Sequence, residues 1–205
     1  MRFKSKLGAL ALAGAVAVGL FATAGRSDDN SAAPPNMQEM MATMMKMNTP
    51  GPEHAALKKL VGKFTAECSF KMAADAPEMT SKGEEENTMI LNDHYLQSKY
   101  TGDMMGMPFH GIALVGYDNY KKKHCTLWID DGSTGMAYSE GTADATGKVV
   151  TYSGTMPCPM QGGKEIAYRN VLTHIDDDHY QMEMFQPGPD GKEFRGMLIK
   201  YSRAQ

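Results

Sequence analysis

Residues 109–144 limit the choice of fold more than any other part of this sequence, because apolar and polar residues alternate there in three short runs. The runs cover residues 109–117, 124–130 and 136–140. An Asp-Asn pair at 118–119 and an Asp-Gly pair at 131–132 separate them. Period-two alternation interrupted by such pairs is typical of antiparallel strands joined by tight turns. The stretch therefore predicts a β-meander of three strands.

Strand-like segments continue on both sides of this meander. They cover residues 64–71, 87–91, 95–100, 149–153, 165–174, 180–186 and 194–201. Together with the meander they make about ten strands, at the short spacing of sandwiches and barrels. The sequence contains no long crossover helix, which a parallel sheet would need. We therefore expect a mainly β fold, an antiparallel up-and-down barrel with a short helix or two at its N-terminal end.

The first 24 residues have the pattern of a secretory signal peptide. Three cations lie within residues 1–6, an apolar run fills residues 7–21, and Ala22-Thr23-Ala24 forms a small-residue cleavage site. The apolar run is shorter than the ~20 residues that a membrane-spanning helix needs. We expect cleavage after Ala24, no membrane span in the mature chain, and a periplasmic or secreted location.

Charge and cysteine content narrow the functional classes. Loss of the leader lowers the formal net charge from −3 to −6, because it removes three basic residues and no acidic ones. An acidic chain without a basic stripe is not expected to bind nucleic acid. Cys68, Cys125 and Cys158 match no zinc spacing, and the sequence does not decide whether two of them form a disulfide. The oligomeric state also stays open.

Residues 25–36 are polar and rich in Pro, Ser and Asp, which predicts a flexible linker. The following segment, 37–50, is rich in methionine, and four methionines recur there with helical spacing: Met37, Met40, Met41 and Met44. One interpretation is an amphipathic helix whose flexible apolar face covers the domain. The alternative is a Cu(I) site, since thioethers are soft ligands. The run holds no His or Cys, and the helical spacing favours the first interpretation.

A second helix is predicted at residues 53–61. Pro52 is well placed to begin it, Gly62 ends it, and its apolar residues share one face. The β domain is expected to occupy residues 51–205, with this helix at its start.

Several short motifs along the chain carry a family resemblance. They are PGPEH at 51–55, GYDN at 116–119, WID at 128–130, EG at 140–141 and DGKEF at 190–194. In combination they resemble the DUF1579 family, over about residues 37–203. That family is similar to lipocalin-like and calycin barrels, which implies a barrel rather than a sandwich. It is a domain of unknown function, so the resemblance implies no catalytic residue. The sequence departs from the family at Phe64, where a Trp is usual, and at 91–96, where LNDHYL replaces a turn richer in glycine.

A barrel of this size can enclose one small ligand, and inward residues alternate along every strand. Four aromatic residues and two cations are the candidate ligand contacts: Tyr117, Trp128, Tyr138, Tyr168, Arg169 and Arg195. The aromatic residues are interpreted as walls. An arginine that points inward would bind a ligand carboxylate through two parallel hydrogen bonds. The alternative for the arginines is an ion pair with Glu165 or Glu183, or exposure to solvent.

Enzyme signatures are absent from the sequence, which has no G-x-S-x-G, no H-E-x-x-H and no phosphate-binding glycine loop. The six histidines are scattered, although one histidine is enough as an axial haem ligand. Soft donors recur at 104–107 near His110 and at 156–160 around Cys158, which are further places for Cu(I). The sequence thus assigns no catalytic residue and no metal ligand, and leaves the cofactor unknown.

Two functions follow from these observations. The first is a secreted, non-catalytic barrel that binds a small apolar or amphipathic molecule. The alternative is a periplasmic Cu(I)-handling protein that uses its methionine clusters. An enzyme is the least expected, because a fold alone names no reaction.

Overall fold

The computed structural model of the protein describes residues 36–158 and 161–205. The signal peptide assigned to residues 1–24 and the linker 25–36, apart from its last residue, lie outside the described part. Two helices and one turn of 3₁₀ helix precede the strands. They are α1 (Met37–Met47), α2 (Pro52–Leu57) and the 3₁₀ helix Lys58–Leu60.

Ten strands follow within the described residues, and every strand pairs antiparallel with its neighbours along the chain. They are β1 (Gly62–Phe70), β2 (Met79–Ile90), β3 (Tyr95–Met104), β4 (Met107–Asp118), β5 (Lys123–Asp130), β6 (Ala137–Ala143), β7 (Val149–Cys158), β8 (Lys164–His174), β9 (His179–Pro187) and β10 (Glu193–Arg203). β1 also pairs with β10, which closes the barrel. The predicted up-and-down barrel is therefore confirmed, and β4, β5 and β6 form the predicted meander.

The register determines which side chains face the interior, because directly opposed residues of paired strands point to the same side of the sheet. β1 and β10 place Ala66 opposite Tyr201 and Cys68 opposite Ile199, and all four are buried. Phe64 lies on the same inner side of β1 and is the largest fully buried side chain of the described residues. A bulky aromatic residue thus fills the inner side of β1 at the start of the strand.

The inner wall is more polar than the alternation of apolar residues suggests. On β5 the inward residues are His124, Thr126 and Trp128, which oppose Tyr117, Val115 and Ala113 of β4. The apolar set of β5 lies half-buried on the outer side: Cys125, Leu127 and Ile129. The period-two pattern therefore identified the strand correctly, whereas the side that faces the interior follows from the closure of the barrel.

Glycines on the inner wall make room for aromatic rings. A Cβ atom at Gly111 would lie 2.2 Å from the Trp128 ring, and one at Gly83 would lie 2.5 Å from the Tyr100 hydroxyl oxygen. These rings occupy the space of the missing side chains, so they lie directly against the backbone of the neighbouring strand.

Helix α1 forms as predicted but ends at Met47, and none of its residues is buried. The expectation that its methionine face covers the domain is therefore not met. The segment that follows it is attached to the turn between β4 and β5. Asn119 Nδ2 donates to the carbonyl oxygens of Met47 and Thr49 at 2.7 and 3.0 Å, and the Tyr120 hydroxyl donates to Asn48 Oδ1 at 3.0 Å.

α2 and the 3₁₀ helix cover the barrel at the end where β1 begins and β10 ends, which we term the closed end. His54, Leu57 and Leu60 are buried there, and both leucines belong to the same core cluster as Phe64. The predicted helix 53–61 is thus an α-helix that tightens into a 3₁₀ turn. The opposite end, where β3 turns into β4, is termed the open end.

Candidate functional site

The barrel interior contains a polar cluster near the closed end, formed by Glu85, Asn87, Tyr180 and Tyr201. The Tyr180 hydroxyl donates a short hydrogen bond to Glu85 Oε1. Asn87 Nδ2 donates to the same carboxylate oxygen at 2.9 Å and to the Tyr180 hydroxyl at 3.2 Å. The rings of Tyr180 and Tyr201 stack with their centroids 4.3 Å apart, and Phe64 meets Tyr180 edge-on at 4.9 Å. We call this group the Glu85 cluster.

Burial controls the acid-base properties of the Glu85 cluster. Burial raises the pKa of the Glu85 carboxyl, while hydrogen bonds from Tyr180, Asn87 and Tyr201 oppose that rise because they stabilise the ionised form. Burial also raises the pKa of Tyr180, with the charge of Glu85 as the next cause. Burial raises the pKa of nearby Tyr100 to about 12. The tyrosines thus stay neutral hydrogen-bond donors.

Several inward polar atoms have no hydrogen-bond partner among the described residues. They are Asn87 Oδ1, His124 Nδ1, Ser139 Oγ and Asn170 Oδ1. His124, Ser139 and Asn170 lie on the wall formed by β5 to β8, since the register links Thr126 to Ser139 and Tyr152 to Asn170. Each buried polar atom left without a partner costs about 1–3 kcal/mol of folding free energy. These atoms therefore mark the inner-wall positions whose polar groups stay unused within the described residues.

A histidine pair lies where α2 meets the barrel. His54 is buried, its Nδ1 accepts a hydrogen bond from the Gly51 amide at 3.0 Å, and its ring lies 6.0 Å from that of Tyr117. Burial lowers the pKa of His54, and the neighbouring His94 lowers it further. Hydrogen bonds to the carbonyl oxygens of Asn48 and Leu91 raise the pKa of His94. The buried histidine is therefore held neutral beside an exposed one that favours the charged form.

The inner wall of the open half is rich in methionine. Register places six methionines on its inner side: Met79, Met104, Met107, Met156, Met184 and Met197. Met104 and Met107 are directly opposed across the β3–β4 hairpin. Loops at the same end expose further methionines, among them Met72, Met105 and Met136. Methionine side chains are flexible and adapt to ligands of different shape.

Two grooves on the outer side of the barrel differ from this interior. They run along β1 and β2 and are lined mainly by outward side chains, including Glu67 and Lys82. Side chains of opposite charge alternate across the strands in both grooves, and both grooves face solvent. These exposed charges favour no particular class of ligand.

The candidate residues from the sequence divide between the two sides of the barrel. Tyr117, Trp128 and Tyr168 lie on the inner side, where the Trp128 Nε1–H donates to Asp130 Oδ2 at 2.7 Å. Tyr138 lies on the outer side, and its hydroxyl donates to Glu140 Oε1 at 3.0 Å. The structure thus places three of the four predicted aromatic residues on the inner side of the barrel.

Both candidate arginines lie on the outer side, so neither is placed to bind a ligand in the interior. Arg169 forms two hydrogen bonds to the Glu193 carboxylate, at 3.1 and 2.6 Å, and stacks on the Phe185 ring. Arg195 pairs with Glu183 Oε1 at 2.8 Å. The ion-pair alternative describes both arginines, with Glu193 rather than Glu165 as the partner of Arg169.

The Glu85 cluster was not found from the sequence. The predicted strand 87–91 covered only the last four residues of β2, because most inward residues before them are polar or glycine: Ser81, Gly83 and Glu85. Three consecutive glutamates at 84–86 resemble a solvated run, and no apolar alternation marks the middle one as buried. Only the register with Phe64 and Tyr100 identifies it.

The predicted soft-metal sites are partly dispersed. His110 Nδ1 pairs with Asp131 Oδ2 at 2.7 Å rather than with the nearby methionines. Cys68, Cys125 and Cys158 are free and lie on β1, β5 and β7. Among the described residues, no group of three or more His, Cys, Asp or Glu side chains is arranged to hold a metal ion. Nor does any helix in the described ranges reach the length and apolar character of a membrane span.

Comparison with known proteins agrees with this architecture. A family model described as "Protein of unknown function (DUF1579)" matches residues 49–203. The crystal structure of Rv2717c from M. tuberculosis is similar, with a TM-score of 0.56 and 12% sequence identity, covering 77% of this chain and 100% of that one. A redesigned beta barrel matches with a TM-score of 0.40 and 15% identity, over 73% of this chain and 96% of the other. No curated protein matches the sequence at a significant level. At these identities the likeness to solved structures concerns the fold alone.

Proposed function

We propose that this chain, which belongs to the DUF1579 family, is a secreted, non-catalytic barrel that binds a small amphipathic molecule. The family description assigns no activity, so the support for this proposal comes from the side chains of the barrel interior. The observation that carries the proposal is the set of buried, unpartnered polar atoms on an inner wall that also carries aromatic and methionine side chains. A barrel selected for stability alone would fill these positions with apolar side chains. A ligand with a hydrogen-bonding group at one end and an apolar body would contact both the unpartnered polar atoms and the apolar side chains of the inner wall.

The open end of the barrel supports the same proposal, because it gives a ligand access to the interior. The closed end is filled by α2 and the 3₁₀ helix, whereas no described helix packs against the inner wall at the open end. The methionines of the open half offer an adaptable apolar path to the interior. Sites of this kind combine mostly apolar walls with a few polar groups that fix the orientation of the ligand.

Native mass spectrometry of the protein purified from its own host tests this proposal. We expect a non-covalent adduct of small-molecule mass that disappears on denaturation. Ser139→Ala removes one unpartnered hydroxyl from the inner wall and should lower the occupancy of the adduct without loss of stability. Ser153→Ala is the matched control, since Ser153 is exposed on the neighbouring strand β7. A protein that carries no adduct and binds no amphipathic probe would contradict the proposal.

Cu(I) binding is a second candidate function, and the register of the β3–β4 hairpin supports it. Met104 opposes Met107 directly, so two thioethers lie within cross-strand contact at the open end. An anaerobic Cu(I) titration against a competing chelator separates the two methionine groups. Leucine at positions 104 and 107 should abolish tight binding. Leucine at positions 40, 41, 44 and 45 in α1 should leave it unchanged, and the reverse result would assign the site to the helix.

The export proposed for this chain has a separate test. N-terminal sequencing of the protein recovered from its host should begin at Gly25, as expected for cleavage after Ala24. A mature protein that still begins at Met1 would contradict secretion through this leader.

A further inference from the structure

Glu85 is a buried carboxyl without a cationic partner. It is 8% exposed, and none of the ion pairs in the described residues includes it. By contrast, Glu183 and Glu193 on the outer side each pair with an arginine. A buried carboxylate costs several kcal/mol unless a counter-charge and hydrogen bonds compensate it. The hydrogen bonds are present at Glu85, and the counter-charge is missing.

The groups around Glu85 direct two hydrogen-bond donors at one oxygen of its carboxyl group. Tyr180 and Asn87 both donate to the same oxygen, Oε1. Asn87, which is 1% exposed, turns its amide nitrogen toward the carboxyl and leaves Oδ1 without a donor. The cluster therefore presents a carboxyl group and an unused amide oxygen together, and both are acceptors that an N–H donor would satisfy.

The nearest arginine is engaged elsewhere. Arg203 donates to the carbonyl oxygens of Val61 at 2.8 Å, Lys59 at 3.0 Å and Asp177 at 2.8 Å. These bonds hold its guanidinium over the Phe64 ring, 4.6 Å from the centroid. Arg203 thus ties the closed end together and is not available to neutralise Glu85.

Aromatic faces complete the surroundings of the carboxyl. The Tyr180 and Tyr201 rings stack on each other, and the Phe64 ring meets Tyr180 edge-on. These rings provide apolar area beside the carboxyl, against which the apolar body of a ligand would pack.

Building on the proposed ligand-binding barrel, we infer that Glu85 is the anchor for a positively charged group, so that the natural ligand is a small amphipathic amine. Glu85 supplies the counter-charge, Asn87 Oδ1 accepts an N–H hydrogen bond, and Tyr180 holds the carboxyl in place. The ligand supplies the cation that the barrel lacks.

Three probes of one skeleton test this inference on the purified protein by calorimetry, with Trp128 fluorescence as a second readout: naphthylmethylamine, naphthylmethanol and naphthoate. We expect the amine to bind roughly 10- to 100-fold more tightly than the alcohol, as for a hydrogen bond to a charged group. The naphthoate should bind most weakly, because it places a second negative charge beside Glu85.

Glu85→Gln keeps the shape of the side chain and removes its charge, so it should abolish the preference for the amine over the alcohol. Glu86→Gln removes the same charge one residue away on the exposed side of β2 and should leave the preference intact. Tyr180→Phe, which removes one donor to the carboxyl, should reduce the preference partially. The E85Q variant should remain folded with an unchanged or higher melting temperature, since an unpaired buried charge is lost.

The outcomes separate this inference from the proposed function. If the alcohol binds as tightly as the amine, or if the preference survives in E85Q, the barrel binds ligands but Glu85 is not a cation anchor. If none of the three probes binds, both the inference and the ligand-binding barrel are overturned.

Discussion

The two ends of this barrel are lined by different kinds of side chain. At the closed end, rigid aromatic residues pack under α2 and the 3₁₀ helix, and Arg203 joins these helices to the turn between β8 and β9. At the open end the wall and the rim carry many methionines, and several of these side chains are exposed, including Met72, Met105 and Met136. The contrast indicates that the closed end provides stability and holds the Glu85 cluster in position, whereas the open end provides access.

The sharpest test of this contrast uses two phenylalanines of one strand. Phe64→Ala at the closed end should lower the free energy of unfolding by about 3–5 kcal/mol, because the side chain is fully buried and its removal leaves a cavity. Phe70→Ala, on the same inner side of β1 but half-buried at the open end, should cost clearly less. Urea denaturation measures both values. Equal losses would show that the two ends contribute alike to stability.

Arg203 should contribute the next largest effect. Arg203→Ala removes hydrogen bonds from a charged group to three backbone carbonyls and should destabilise the protein by about 2 kcal/mol. Arg195→Ala is the control, since that arginine makes an exposed ion pair with Glu183 and should cost less than about 1 kcal/mol. Thermal unfolding followed by circular dichroism distinguishes them. A comparable small loss for both would mean that the closed end is held by apolar packing alone.

The buried histidines make the closed end sensitive to acid. Burial lowers the pKa of His54 and of His124 below the usual value of 6.5, so the folded state binds fewer protons than the unfolded state. Their contribution to stability is therefore complete above pH 6.5 and is lost as the pH falls through the folded pKa values. Denaturation curves between pH 7 and pH 5 should show this decline.

Glutamine at positions 54 and 124 should flatten the pH dependence of stability over that range. His179→Gln is the control, because that ring is exposed on the β8–β9 turn, where it contacts Asp176. An unchanged slope in the double variant would assign the acid sensitivity to other groups.

The smallest expected effect on stability lies at the open rim. Serine in place of Met72, Met105 and Met136 should change the free energy of unfolding by less than about 0.5 kcal/mol per site, because these side chains are exposed. The same variants should weaken binding of the naphthyl probes, since they remove apolar surface from the entrance. Full retention of probe binding would show that the rim takes no part in ligand entry.

Much of the architecture followed from the sequence, because strand alternation and turn chemistry are local properties. The meander, the number of strands and the helix after Pro52 were predicted from residue spacing, and the motifs pointed to the family that the comparison identifies. Residues 79–86 of β2 were missed, because Met79 is the one apolar side chain among their inward residues.

The tertiary structure alone decided which polar and charged side chains face the interior of the barrel. Which of the glutamates 84–86 is buried depends on the pairing of β2 with β1 and β3, and this pairing joins residues distant in the chain. Closure of the barrel likewise turned Arg169 and Arg195 outward and His124 inward. A shift of one residue in register exchanges the two sides of a strand. The sequence by itself therefore determined that this chain forms a barrel, and long-range pairing determined what the barrel holds inside.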